Sequence, residues 1–169
     1  MVIAIHGKKG SGKNTIANII NKDNQFVITA FAEPIKNEII RIFKLKNEDE
    51  YDEFKRKEFN ELNVNGRRIV REIGMLMRSY DETQFIKYVD NIISKNKNVI
   101  ITDLRFQNEL VYLKVLKDII FIKVKRDEDN DNHISEQEFD DKYFNYIIDN
   151  KGSLEDLEKE LNSIKELKE

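Results

Sequence analysis

The sequence predicts a single α/β domain, a reading that rests on three observations. Short β-branched runs alternate with segments whose apolar residues recur at helical spacing. The first run leads directly into a glycine-rich turn and then a helical segment. The length, 169 residues with 40% hydrophobic and 36% charged, suits one core rather than two. No apolar run approaches the roughly 18 residues a membrane helix needs, so no membrane association is expected. Met1–His6 runs straight into the glycine turn, which does not read as a secretory signal. The absence of cysteine excludes a disulfide framework, a thiolate metal site and a cysteine nucleophile, and suits a cytoplasmic protein. A net charge of -3 and a pI near 5.6 argue against stable nucleic-acid binding. With two histidines, a multi-histidine metal centre is not expected.

Taken in order, Val2–His6 reads as a buried strand and Asn14–Asn21 as a helix carrying Ile16, Ala17, Ile19 and Ile20. Gln25–Phe31 is a second strand-like run. Pro34 opens a helix whose apolar face would be Ile35, Ile39, Ile42 and Phe43. Residues 47–95 break the alternation and offer helices near Tyr51–Leu62, Arg67–Arg78 and Thr83–Ile93, read as a helical insertion. Strands resume at Asn98–Thr102 and Ile119–Val124, with a helix over Asn108–Leu116 whose apolar positions are Leu110, Leu113, Val115 and Leu116. Asp127–Asp141 is polar and acidic, an exposed loop or short lid. Tyr146–Ile148 is a last strand. Ser153 then starts a helix, in an imperfect capping box, with a stripe of Leu154, Leu157, Leu161, Ile164 and Leu167.

The chemistry is concentrated in Gly7-Lys8-Lys9-Gly10-Ser11-Gly12-Lys13-Asn14-Thr15, which has the G-x-x-x-x-G-K spacing of a phosphate-binding loop between a strand and a helix. Glycines let successive N–H groups curl inward into an anion nest at a helix N-terminus, and Lys13 would reach the β- and γ-phosphates of a nucleotide. Where Ser or Thr usually meets Mg²⁺ stands Asn14. Its amide oxygen could ligate the ion directly or through water; alternatively it only caps the helix, leaving Mg²⁺ to phosphates and water.

Asp103 and Arg105 follow the strand-like run ending at Thr102, at the end that faces the ligand crevice of an open α/β sheet. There Asp103 could hold Mg²⁺ through water and Arg105 could grip a phosphate; the plainer alternative is a helix cap and a surface pair. Lysine far outnumbers arginine in this chain, yet Arg67, Arg68, Arg71 and Arg78 gather in one segment. Guanidinium offers the bidentate phosphate geometry that lysine lacks. Arg71 and Arg78, seven positions apart, share a helix face, where they serve either phosphate or salt bridges. Arg126 closes the strand before the acidic loop, where it could swing over transferring phosphates. His133 reads as a surface residue before a ligand, and His6 as buried and hydrogen-bonded. Phe31 and Pro34 could line a base pocket or belong to the core.

On these residues the chain resembles the deoxynucleoside monophosphate kinases of bacteriophages and large DNA viruses. The resemblance runs nearly end to end, through Gly7–Thr15, Phe31-Ala-Glu-Pro-Ile-Lys36, Arg71-Glu-Ile-Gly74 with Arg78, Thr102–Glu109, His133–Glu136 and Tyr146–Leu154. It implies a P-loop NTPase fold of three layers, α/β/α, with a parallel five-stranded sheet, a helical monophosphate-binding region near 47–95 and a lid near 127–141. It implies ATP with Mg²⁺ as donor, a deoxynucleoside 5′-monophosphate as acceptor, and a homodimer. By position, Gly7–Thr15 would cradle the donor phosphates, and Lys36, Arg71, Arg78 and Arg105 would bind the acceptor. Arg126 would be the lid-side arginine. Lys13, Asp103, Arg105 and Arg126 form the expected catalytic set, with Asn14 and Asp103 the metal-side pair.

Other readings are a different small-molecule P-loop kinase, such as one resembling dephospho-coenzyme A kinase, or a nucleotide-binding switch without transfer. The first usually carries Ser or Thr directly after the P-loop lysine; the second leaves Arg105 and Arg126 unexplained as a set. A DNA end-phosphorylating enzyme would call for a basic groove, against the acidic balance.

Overall fold

The computed structural model describes residues 1–59, 64–126 and 139–167. The chain divides into two compact units, Met1–Ala30 with Val89–Glu169, and Phe31–Tyr88.

The first unit is built on β1 (Val2–His6), α1 (Lys13–Ile20), β2 (Val27–Thr29), β5 (Val99–Ile101), α6 (Gln107–Lys114), β6 (Ile119–Lys125), β7 (Tyr146–Asp149) and α7 (Leu154–Ser163). Its five strands form a parallel sheet in the order β2-β5-β1-β6-β7. β1 is central, with Ala4 level with Ile101 on one side and with Phe121 on the other. A central parallel strand is covered on both faces, which is why Val2–His6 is an unbroken buried run. Ile3, Ile5, Ile100, Ile122, Val124 and Ile148 form one core with Ile16 and Ala17 of α1 and Leu157 and Leu161 of α7. Val2, Ala4 and Ile101 alternate with them on the opposite face and are equally buried. Leu104, in the turn before α6, and Leu110 and Leu113 within the helix are fully buried. The sheet is thus flanked by helices, as the α/β reading requires.

Two terminal details follow from local chemistry. Ser153 caps α7 by accepting the Asp156 N–H, while the Asp156 carboxylate accepts the Ser153 N–H at 3.1 Å. This reciprocal pair is the capping box read from the sequence. Leu157 and Leu161 are buried, and Ile164 and Leu167 close the same core beyond the helix.

The second unit contains α2 (Glu33–Phe43), α3 (Glu48–Arg56), the hairpin strands β3 (Glu58–Phe59) and β4 (Val64–Asn65), and α4 (Gly66–Tyr80). α5 (Gln84–Lys95) begins in this unit and ends in the first. Asn47 and Asn65 cap α3 and α4 by accepting the N–H groups of Glu50 and Arg68, both at 3.0 Å. The Phe54 ring packs on Phe43 at 4.6 Å and Phe59 at 5.7 Å. Gly66 passes so close to the Phe54 carbonyl that a Cβ would collide with it, and a Cβ at Gly74 would meet Ile35 Cδ1 at 3.0 Å.

Several expectations are corrected. The second strand is Val27–Thr29, shorter than Gln25–Phe31, because β2 is a sheet edge with a single partner. The helix expected to reach Leu62 ends at Arg56, and the β3–β4 hairpin follows. Ile42, Val115 and Leu154, assigned to buried stripes, are exposed at 59%, 76% and 57%. Each lies at or next to a helix end, beyond the core-facing turns. The expected lid at 127–141 and the His133–Glu136 motif fall almost wholly outside the described residues; only 139–141 are seen, leading into a 3-10 turn over Asp141–Tyr143.

Candidate functional site

The glycine-rich loop follows β1 and turns into α1. Gly10 and Gly12 have φ of 75° and 97°, a left-handed conformation that strains residues with a Cβ. A Cβ at Gly7 would lie 2.7 Å from both the Val124 carbonyl oxygen and Ser11 Oγ, so the loop leaves β1 hard against β6. Ser11 N–H donates to the Lys8 carbonyl at 3.2 Å. The Ser11 side chain is buried, and among the described residues its Oγ has no hydrogen-bond partner. Lys13 Nζ curls back over the loop and donates to the carbonyls of Gly7 and Lys8, both at 2.7 Å. The ammonium is therefore held at the loop, in the region where an anion would be met by N–H groups of the α1 N-terminus.

Asn14 does not cap α1. Gly12 occupies that position, and Asn14 and Thr15 lie exposed in the first turn.

Three neighbouring strands, β5, β1 and β6, deliver their carboxyl ends side by side. Asp103 and Arg105 leave β5, the glycine loop leaves β1, and Arg126 leaves β6. Leu104 is fully buried between the half-buried Asp103 and Arg105. Its N–H donates to the Ile5 carbonyl at 3.2 Å, and its carbonyl accepts from His6 Nδ1 at 2.9 Å. The turn carrying Asp103 and Arg105 is thus tied at both backbone groups to the end of β1. Glu109, fully buried, accepts the N–H groups of Arg105 and Phe106 at 2.9 and 3.0 Å. Arg126 is exposed, and its Nη1 donates to the Gly10 carbonyl at 3.3 Å.

Beneath this edge, His6 is held neutral. Burial lowers its pKa to about 4, against the hydrogen bond to Leu104, and the charges of Lys123, Lys13 and Arg105 add to the shift. Its ring packs against Phe139 at 4.8 Å and Phe144 at 5.4 Å. Lys123 is buried, yet its Nζ donates to the Phe139 carbonyl at 2.8 Å and to Asp141 at 2.7 Å. Hydrogen bonds from Lys123 and Lys125 hold the Asp141 carboxyl at about 2. His6 is buried and bonded, as its position at the end of a strand led one to expect.

The remaining sequence-selected cations belong to the second unit. Lys36 Nζ lies 2.7 Å from both Glu33 and Glu48. Burial works against its charge, but hydrogen bonds to those two carboxylates prevail and raise its pKa. Arg71 and Arg78 are half-buried on α4, on either side of Gly74 in sequence, and the Arg78 guanidinium stacks on the Phe85 ring at 4.4 Å.

A family model for deoxynucleotide monophosphate kinase matches residues 1–88 and 80–161. The chain belongs to the deoxynucleotide monophosphate kinase family. A protein of Acanthamoeba polyphaga mimivirus, named as a candidate deoxynucleotide monophosphate kinase, is 28% identical over 178 residues, covering 93% of this chain and 92% of the relative. Membership of this kinase family makes the chain a phosphotransferase by class. Among the described residues, no helix is long and apolar enough to cross a membrane.

Two residues bonded to the backbone of the candidate site were not singled out by sequence reasoning. Glu109 was legible as an acidic residue three positions after Phe106, the N-cap of α6. Asn150 follows β7 in an Asn-Lys-Gly turn, and its Nδ2 donates to the Ser11 carbonyl at 2.8 Å.

Proposed function

We propose that the chain transfers the γ-phosphate of ATP to a deoxynucleoside 5′-monophosphate, giving the diphosphate. The observation that carries this reading is the loop between β1 and α1. Left-handed glycines at 10 and 12 curl its backbone at a helix N-terminus, and the Lys13 ammonium is folded over it. These features fit polyphosphate, since the nest supplies N–H donors and Lys13 a mobile charge that can exchange two carbonyls for phosphate oxygens.

Phosphoryl transfer depends mainly on positioning and on neutralising charge. Lys13 and Arg126 are proposed to neutralise charge developing on the transferred group. Arg105, with Lys36 of α2 and Arg71 and Arg78 of α4, is proposed to bind the acceptor. The acceptor's phosphate has a second pKa of about 6, so it is already anionic near neutral pH and needs no strong base. A buried, neutral His6 is consistent with that economy. Mg²⁺ accompanying ATP would be held by phosphate oxygens, by Asp103 through water and by Asn14, and would supply charge neutralisation at the donor's phosphates.

The test is transfer from ATP-Mg²⁺ to dGMP, dTMP, dCMP, dAMP and their ribose counterparts, followed by product chromatography. The expected result is diphosphate from one or two deoxy acceptors, with turnover reduced at least about 100-fold in Lys13→Ala, in line with the loss of one preorganised charge-stabilising group. No turnover with any acceptor, while ATP still binds, would overturn the reading.

A further inference from the structure

Asn150 lies far from the loop in sequence, and three observations tie it to the loop's shape. Its Nδ2 donates to the Ser11 carbonyl at 2.8 Å, across 139 positions. Its own N–H donates to the Lys125 carbonyl at 2.8 Å, which fixes Asn150 to the end of β6 next to Arg126. A Cβ at Gly12 would collide with Asn150 Nδ2, so the side chain packs directly on the turn. The chain has no cis peptide bonds among its described residues, and a trans peptide points its C=O and N–H in opposite directions. Holding the Ser11 carbonyl toward Asn150 therefore turns the Gly12 N–H away from it, to the loop's other side.

We propose that Asn150 is a positioning residue for phosphate binding: its amide locks the Ser11–Gly12 peptide in the orientation that presents the Gly12 N–H to the donor's phosphates. The inference rests on the donor reading of the loop given above. Asn150 itself touches the loop backbone rather than the nucleotide. Its second bond, to Lys125, places the same residue at the root of Arg126, whose guanidinium reaches the Gly10 carbonyl. The loop carbonyls at 10 and 11 are thus both held from the β6–β7 side, by Arg126 and by Asn150.

The experiment titrates the full chain and Asn150→Ala with ATP-Mg²⁺ and, separately, with inorganic pyrophosphate. Melting temperatures are recorded alongside, and Ser153→Ala serves as a control that weakens the cap of α7 without touching the loop. The expected result is about a tenfold weaker affinity of Asn150→Ala for both ligands, the scale of one net hydrogen bond, with the acceptor KM unchanged. Ser153→Ala should melt lower yet bind both ligands as the unaltered chain does. A loss confined to ATP, with pyrophosphate affinity intact, would assign Asn150 to the base and overturn the proposal. Unchanged affinity for both ligands, whatever the melting temperature, would reduce Asn150 to a structural contact and overturn it as well. If the unaltered chain binds neither ligand, the donor reading itself falls, and that failure is read from the control arm alone.

Discussion

Gly12 adopts φ of 97° and faces Asn150 Nδ2, so replacing its hydrogen with a methyl group imposes both backbone strain and a collision. Gly12→Ala is expected to lose about 1–3 kcal/mol in urea denaturation and to abolish ATP binding by titration. Retained affinity would show that the loop can re-form around the methyl. His6 gives a prediction of a different kind. Its folded pKa of about 4 lies below the ordinary 6.5, so the unfolded chain takes up a proton first as pH falls. The stability linked to His6 is complete above pH 6.5 and is lost progressively toward pH 4, by about 3 kcal/mol in all. Burial enforces this first, and the charges of Lys123, Lys13 and Arg105 add to it. His6→Asn, which cannot titrate, should flatten that limb of the stability–pH curve measured by chemical denaturation. Asp81 and Asp141, both held at about 2, lose their contributions only at lower pH, below the ordinary carboxylate value. An unaltered acid limb in His6→Asn would refute the assignment.

Among the elements, those buried by several neighbours were the most legible. β1 is read from sequence with its observed ends, because a central strand covered on both faces must be apolar throughout. β2 is overread, since an edge strand pairs on one side only and the strand-like run Gln25–Phe31 extends past the ladder on both ends. The β3–β4 hairpin is missed because two residues per strand are too few to show a period of two. Ile42, Val115 and Leu154 show the complementary error: helical spacing marks an apolar residue but does not say whether a neighbouring element reaches it. At the start of α6, Glu109 gathers the N–H groups of Arg105 and Phe106. Glu109→Ala leaves two part-buried N–H donors without that acceptor, and should cost about 1 kcal/mol of stability. It should also lower turnover, through Arg105, by more than Ser153→Ala does. Equal turnover in the two variants would separate Glu109 from the chemistry.

For the molecule as a whole, the proposed donor binding links ligand to folding, because only the folded loop would present its N–H groups to phosphate. ATP-Mg²⁺ at about 100 times its Kd should stabilise the chain by about 2.7 kcal/mol and raise Tm by about 5–10 °C. Lys13→Ala should lose most of that rise in the same thermal scan. A rise of equal size in the variant would mean that ATP binds elsewhere.

Local pattern was enough to read the α/β class, the glycine-rich turn between β1 and α1, and the cap of α7, because each depends on residues within one turn or one strand of one another. Helical and strand periods, the freedom of glycine and a reciprocal Ser–Asp cap are written into adjacent positions. The strand order β2-β5-β1-β6-β7 was settled only when the chain folded back on itself, and so were the seat of Asp141 on Lys123 and the bond between Asn150 and Ser11. These depend on which distant segments meet, and hydrophobic spacing carries no address for a partner 139 residues away. An asparagine after a strand reads as a turn residue; only the fold brings it back to the Ser11 carbonyl.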